Sequence, residues 1–261
     1  MDAMIKKRII PKFLIKDGRL VKGERFHFNF REAGNPATTA KVYNAYGVDE
    51  LILLDIHAGL ESRKAVIDII ARISREVFMP LTVGGGITTL EDIHALFKAG
   101  ADKVSMNTAA VENPALVKEA ALRFGDQCMT VSIDYARQAD GSHKVLTHGG
   151  TQLTDLDPVD WACRMQDCHC GEILLTSIDR DGTMSGYDLD MIHAVSQRLN
   201  VPLIASSGAG SLKDCVDAFR AGADAITISS MFFFTDHSPI KVRSYLHMQG
   251  LNVRASRNSR N

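Results

Sequence analysis

Met79-Pro-Leu-Thr-Val-Gly-Gly-Gly86 and Val201-Pro-Leu-Ile-Ala-Ser-Ser-Gly208 share one pattern: a proline, a short aliphatic run and a turn of small residues. Two further pairs keep the same spacing. Glu50-Leu-Ile-Leu-Leu-Asp-Ile56 matches Glu172-Ile-Leu-Leu-Thr-Ser-Ile178, and Ala99-Gly-Ala-Asp-Lys-Val-Ser105 matches Ala221-Gly-Ala-Asp-Ala-Ile-Thr227. Each pair is offset by 122 residues (50 to 172, 79 to 201, 99 to 221) in a chain of 261. A constant offset near half the length means two copies of one structural unit.

Around these anchors, short aliphatic runs alternate with amphipathic stretches. Strands are expected at Ile9–Ile15, Glu50–Asp55, Leu81–Val83, Lys103–Met106, Met129–Ile133, Glu172–Ser177, Leu203–Ala205 and Ala225–Ile228. Helical spacing of apolar residues marks Ser62–Val77, Leu90–Ala99, Pro114–Phe124, Pro158–Asp167, Leu189–Leu199 and Leu212–Ala221. Near-continuous apolar strands are strands covered on both faces, as in parallel sheets. Eight of them, each followed by a helical stretch, give either a (β/α)8 TIM barrel or a doubly wound open sheet. The repeat decides for the barrel, because two four-strand halves close a ring whereas an open sheet has no reason to repeat. One α/β barrel built from two half-barrel repeats is expected over residues 1–254, with a loose tail at 255–261.

Lys plus Arg is 30 and Asp plus Glu is 31, a net charge of −1. A nucleic-acid binder would need a basic excess to displace counterions from phosphates, so none is expected as a partner. The chain is 45% hydrophobic and 23% charged, the mix of a globule rather than a disordered segment. No apolar run approaches the roughly 18 residues that cross a bilayer. The opening MDAMIKKRIIPKF has too short an apolar core for a signal peptide, so a cytoplasmic protein without membrane contact is expected. Five cysteines, an odd number, do not suggest a disulfide framework. Cys168-His169-Cys170 has no second Cys/His pair at zinc-ligand spacing, so neither a metal nor a cofactor is expected.

In such a barrel the active site lies at the strand C-termini. Gly84-Gly85-Gly86 and Ser206-Ser207-Gly208-Ala209-Gly210 follow the third strands of the two halves. Asn107-Thr108 and Ser229-Ser230 follow the fourth strands. Glycine-rich turns let backbone N–H groups approach an anion, and a following helix adds its positive end. Tight turns alone explain one such segment. Two matched turns, each partnered by hydroxyl or amide side chains, point to two phosphate cradles facing each other across the mouth. Asp181-Gly182-Thr183 reads as a turn offering further amides, and Asp55 and Asp179 as strand-top carboxylates for which a structural hydrogen-bonding role stands at least level with a functional one. Asp134, closing Val131-Ser-Ile-Asp134, is the general acid/base candidate. Aligning Lys12-Phe13-Leu14-Ile15 with Ser132-Ile133-Asp134-Tyr135 sets Leu14 opposite Asp134, where a second carboxylate is missing. Asp17 falls in the turn beyond.

The chain resembles the cyclase subunit family of imidazole glycerol phosphate synthase, HisF, from Arg8-Ile9-Ile10-Pro11 to Gly250-Leu251-Asn252-Val253-Arg254. The motifs are Lys16-Asp17-Gly18-Arg19, Val21-Lys22-Gly23, Thr82-Val83-Gly84-Gly85-Gly86-Ile87, Ala101-Asp102-Lys103-Val104-Ser105, Asn107-Thr108-Ala109-Ala110-Val111, and Glu172 through Thr183. The resemblance implies that ammonia from a glutaminase subunit (HisH-like), docked on the N-terminal face, travels through the barrel. There it converts a bis-phosphate ribulosyl carboxamide nucleotide to imidazole glycerol phosphate and aminoimidazole carboxamide ribotide. It places Gly86, Asn107 and Thr108 at one phosphate, and Asp181, Gly182, Gly208, Ser229 and Ser230 at the other. Lys22 belongs to a lid, in a long loop running through Gly34. Arg8, Glu50, Lys103 and Glu172 form the ammonia gate, where a plain ion-pair layer is the bland alternative.

The departures are specific. The family has two catalytic aspartates: Asp134 matches one, whereas Leu14 stands at the other. Lys12 replaces a family cysteine and Ser207 a family glycine. Losing a positioned acid/base costs on the order of 10²–10⁴ in rate. Two further readings therefore stand beside the cyclase. One is a paralogue that channels ammonia to another acceptor, resembling members associated with surface-polysaccharide sugar amidation. The other is a regulatory phosphate-ligand sensor.

Overall fold

The computed structural model describes residues 6–57 and 60–254. The first half begins with β1 (Arg8–Lys16), β2 (Arg19–Glu24), β3 (Phe28–Glu32) and α1 (Pro36–Ala45). It continues through β4 (Leu51–Asp55), α2 (Leu60–Ser74), β5 (Leu81–Gly84), α3 (Leu90–Ala99), β6 (Lys103–Met106), α4 (Thr108–Glu112) and α5 (Pro114–Phe124). The second half starts with β7 (Met129–Arg137), β8 (His143–Thr147), β9 (Gln152–Leu153), α6 (Pro158–Asp167), β10 (Glu172–Ser177) and α7 (Leu189–Ser196). It ends with β11 (Leu203–Ser206), α8 (Leu212–Arg220), β12 (Ala225–Ile228), α9 (Ser230–Phe234) and α10 (Pro239–Met248).

Strands β1, β4, β5, β6, β7, β10, β11 and β12 pair in parallel in that order. Pairing of β12 back onto β1 closes the ring. This is the expected (β/α)8 barrel. Alternation along each strand divides the apolar residues in two. Ile9, Phe13 and Ile15 of β1 face the helices in the large outer core. Ile10 joins Ile52, Leu54, Leu174, Ile204 and Ala225 in a small second core inside the ring. None of the described helices is long and apolar enough to cross a membrane.

The repeat extends to single hydrogen bonds. Thr89 with Asp92, and Ser211 with Asp214, form equivalent capping boxes on α3 and α8. Ser74 and Ser196 donate to the carbonyls of Ala99 and Ala221, both at 3.3 Å. Asp102 and Asp224 accept from the amides of Leu81 and Leu203 at 2.8 and 3.1 Å. Each of these pairs keeps the 122-residue offset. At β1 and β7 the offset shortens. Leu14 pairs with Leu54 while Asp134 pairs with Thr176, and 54 and 176 are repeat partners. Leu14 and Asp134 therefore occupy equivalent places in the ring, as the alignment expects.

Three features differ from the expectations. The segment expected as a long loop holding Lys22 is the antiparallel hairpin β2–β3, which extends β1. Asp17-Gly18, with φ of 50° and 73°, the pair of positive angles that a type I′ turn requires, folds β2 back onto β1, and Arg25-Phe26, at φ of 47° and 67°, turns β2 into β3. Asp134 does not end its strand: β7 runs on to Arg137 because β8 pairs with it, opposing Asp134 to Leu146. Helices α1 and α10 each begin with a capped proline. Asn35 accepts from Ala37 and Thr38 before Pro36, and Ser238 accepts from Lys241 before Pro239. The tail expected at 255–261 lies outside the described residues.

The two capping boxes give a test of the repeat. Thr89→Ala and Ser211→Ala should each lower stability by about 1 kcal/mol, and the double variant by about the sum, because the sites share no partner. Urea denaturation of the three variants measures this.

Candidate active site

Asp134 stands on the inner face of β7, where burial makes ionisation costly. Its two oxygens accept from Asn107 Nδ2 at 2.6 Å and from Ser132 Oγ at 3.0 Å. Burial pushes its carboxyl pKa up, and the hydrogen bonds from Asn107 and Ser132 with the nearby Lys12 charge only partly offset this. A half-buried carboxyl drawn toward its neutral form can both give and take a proton. Asn107 was expected to donate to a phosphate. Its amide instead bridges Asp134 and the Leu146 carbonyl at 3.0 Å, so in this structure it positions the carboxyl.

Gly86 follows β5, and Asn107 with Thr108 follows the neighbouring β6. Gly85, at φ 104°, passes so close to β4 that a Cβ there would lie 2.1 Å from the Asp55 carbonyl oxygen. Thr108 Oγ1 accepts from the His148 amide at 2.9 Å. Across the mouth, Asp181, Gly182, Gly208, Ser229 and Ser230 line one cavity together with Lys12, Leu14, Lys22 and Ser207. Gly208, at φ 107°, packs against Gly186, leaving no room for a side chain. Ser207 sits in the left-handed region at φ 81°, at a cost of roughly 1–2 kcal/mol. Its hydroxyl anchors that conformation by donating to Asp181 at 2.8 Å.

The lysine pair was not assigned to the site from sequence as a unit. Lys12 is buried on the inner face of β1 and reaches across the ring. Its Nζ donates to Ser206 Oγ at 2.9 Å and lies 3.6 Å from Asp181 Oδ1. Lys22, carried by β2, donates to the Lys12 carbonyl at 2.7 Å, bonds to Ser229 Oγ, and sits over the Phe233 ring. Burial first, and the Lys12 charge second, push the Lys22 ammonium down to about 7.

At the opposite end, Arg8, Glu50, Lys103 and Glu172 close a ring of alternating charge. Arg8 meets Glu50 at 2.9 Å and Glu172 at 2.7 Å, and Lys103 meets the same two carboxylates at 3.0 and 2.9 Å. Burial works against the Arg8 charge, but Glu172 and Glu50 outweigh it and hold its pKa above the ordinary value. Just above the ring, the hydroxyls of Ser105 and Thr130, neighbours across β6 and β7, are buried with no hydrogen-bond partner. The Cys168-His169-Cys170 run lies elsewhere: His169 faces Asp126 at 3.7 Å and Cys170 is buried. Among the described residues no group of three or more His, Cys, Asp or Glu is placed to hold a metal ion.

A barrel whose strand C-termini carry two symmetry-related turns and a half-buried carboxyl, with a closed ring of ion pairs at its base, defines a class of two-ended barrels in which both ends of one interior are furnished. The chain belongs to the family described as "Histidine biosynthesis protein", which matches residues 8–238. It is 46% identical over 252 residues to the imidazole glycerol phosphate synthase subunit HisF of Alkaliphilus metalliredigens (strain QYMF). That alignment covers 96% of this chain and all of the relative.

The depressed Lys22 gives a signed pH dependence. Its folded-state pKa lies below the unfolded value of about 10.4, so the buried charge costs most stability below pH 7 and the cost fades as pH rises from 7 to 10. Urea midpoints of Lys22→Met relative to the parent should therefore be highest near pH 6 and fall steadily toward pH 10.

Proposed function

We propose that this chain is the ammonia-receiving synthase subunit of a glutamine amidotransferase, acting as the HisF subunit of imidazole glycerol phosphate synthase does in histidine biosynthesis. The observation that carries the reading is the ion-pair ring of Arg8, Glu50, Lys103 and Glu172 with the two unpartnered hydroxyls above it. A plain structural layer would leave no reason for unpaired polar atoms in the interior, since each costs about 1–3 kcal/mol. Ammonia is small, neutral and able to bond both hydroxyls. A glutaminase docked at the base supplies it, the ring parts to admit it, and Ser105 and Thr130 receive it.

At the mouth, the two cradles hold the phosphates of a ribulosyl carboxamide nucleotide. Gly86 and Thr108 take one end; Gly182, Gly208, Ser229 and Ser230 take the other. The hairpin β2–β3 closes over the ligand, carrying Lys22 and the exposed Phe28 and Phe30. Asp134, held by Asn107 and Ser132, transfers protons as nitrogen adds and the imidazole ring closes. The products are imidazole glycerol phosphate and aminoimidazole carboxamide ribotide.

The base also favours a partner. Phe78, Leu122 and Met248 are the most exposed large apolar side chains among the described residues, at 88%, 76% and 78%. Phe78 precedes β5, Leu122 is near the end of α5, and Met248 ends α10, so all three surround the ring end of the barrel. Exposed apolar groups gathered at one end mark an association surface. Phe78→Glu combined with Leu122→Glu should weaken binding of a HisH-type glutaminase by at least about tenfold, measured by calorimetric titration, with the barrel's own melting temperature unchanged.

Leu14 favours a second reading of the same scaffold. It lines the cavity at the place equivalent to Asp134, and it can neither give nor take a proton. On that reading the barrel activates the glutaminase and delivers ammonia to another acceptor, such as a polysaccharide sugar. A cyclase assay with ammonium salt and the ribulosyl carboxamide substrate separates the two. Turnover by the unmodified chain within about tenfold of a Leu14→Asp variant supports the synthase. Turnover that appears only in Leu14→Asp, gaining on the order of 10²-fold or more, supports the other acceptor.

A further inference from the structure

The cavity at the second cradle holds more positive charge than its own residues neutralise. Lys12 and Lys22 are both buried there, with 3% and 2% of their surfaces exposed, against one buried carboxylate, Asp181. Asp134 adds little, because Asn107 and Ser132 already donate to both its oxygens and burial draws it toward neutrality. A buried cation needs a counter-charge within hydrogen-bond reach. A second, independent observation points the same way. The Thr227 hydroxyl is buried in the wall of this cavity and has no hydrogen-bond partner.

We propose that Lys12 and Lys22 form a paired-ammonium site for a phosphate-type oxyanion, in which Lys12 is a direct ligand that this chain adds to the second cradle. The proposal rests on the reading of that cradle as an anion site and specifies which side chains supply the charge. Leu14 stands where the other half-barrel has Asp134, so the β1 side of the mouth carries the Lys12 ammonium and no carboxylate of its own. The selection shifts toward a ligand whose acidic group sits against β1. Of the contacts Lys12 makes, the one to Ser207 Oγ is long, at 3.5 Å, and is the contact an incoming oxygen can replace. Thr227 supplies a neutral hydroxyl to the same group.

The site binds protons along with the anion. Lys22 faces Lys12 from β1 and Asp181 from the turn after β10, while Ser229 and Phe233 complete its surroundings without charge. Burial and Lys12 leave Lys22 partly deprotonated above neutral pH. An oxyanion between the two lysines restores the proton. Binding at pH 8 therefore takes up more protons than binding at pH 6, where Lys22 already carries its charge.

The test is a titration of the full chain with inorganic phosphate, followed by backbone amide shifts. Wild-type protein should respond at Gly182, Gly208 and Ser230. Lys12→Met should weaken that response by at least about tenfold, while the response at Gly86 and Thr108 keeps its affinity. Because Lys12→Met leaves Asp181 buried without its ion-pair partner, the double variant Lys12→Met/Asp181→Asn is measured beside it and should also bind more weakly than the wild type, since it restores the net charge but not the Lys12 ligand. Calorimetry of the wild type in two buffers of different ionisation heat should show more proton uptake at pH 8 than at pH 6. Unchanged affinity at Gly182, Gly208 and Ser230 in both variants overturns the proposal, reduces Lys12 to a counter-ion of Asp181 and leaves the cradle reading standing. A wild-type protein whose Gly182, Gly208 and Ser230 ignore phosphate overturns the cradle reading and the proposal with it.

Discussion

Closing eight parallel strands into a ring turns every second side chain of each strand toward a narrow interior that solvent reaches only at its ends. Whatever is placed there must fill the space or find a partner. In this chain the apolar filling is thin: six residues, Ile10, Ile52, Leu54, Leu174, Ile204 and Ala225, form the inner core. The rest of the interior is polar, from the ion-pair ring of Arg8, Glu50, Lys103 and Glu172 at the base to Lys12, Lys22 and Asp134 at the mouth. Packing alone would favour aliphatic layers throughout. The polar interior costs stability, and an interior that passes or holds polar molecules is the use that fits it.

The two halves show how one unit diverges without losing its frame. Caps, strand-end aspartates and helix-end serines are duplicated down to single hydrogen bonds. The side chains facing the mouth are not. Asp134 in one half is matched by Leu14 in the other, and Gly85 is matched by Ser207, which keeps the positive φ of its partner through a bond to Asp181. The scaffold tolerates this because the mouth residues sit on strand ends whose backbone is fixed from outside by the helices. The titratable groups on these strands are thereby one-sided, with a carboxyl on β7 and ammonium groups on β1 and β2.

Most of the frame was legible because its signals are local or repeated. The 122-residue offset, the apolar strands and the glycine turns are all properties of short segments, and the eight barrel strands fell within a few residues of expectation. The turn from β1 into β2 was legible in principle, since Asp17-Gly18 is a turn signal, but the low apolar content of Phe28–Glu32 masked the return strand β3. Asp134 ended its strand too early in the sequence reading because the partner that extends β7, β8, lies beyond the turn at 138–142 and sets Leu146 opposite Asp134. What the sequence could not carry was contact across the ring. Lys12 meets Ser206, Ser207 and Asp181 from separations of more than 160 residues. Asn107 reads as a phosphate donor until the position of Asp134 beside it is known.

On the proposed function, nitrogen crosses this barrel internally, from the ion-pair ring to the mouth. The most direct measurement runs the assembled synthase with amide-15N glutamine in a large excess of unlabelled ammonium salt and reads the isotope in the nitrogenous product. An enclosed path predicts product labelled from glutamine almost undiluted by the external pool. Label diluted in proportion to the added ammonium would contradict it.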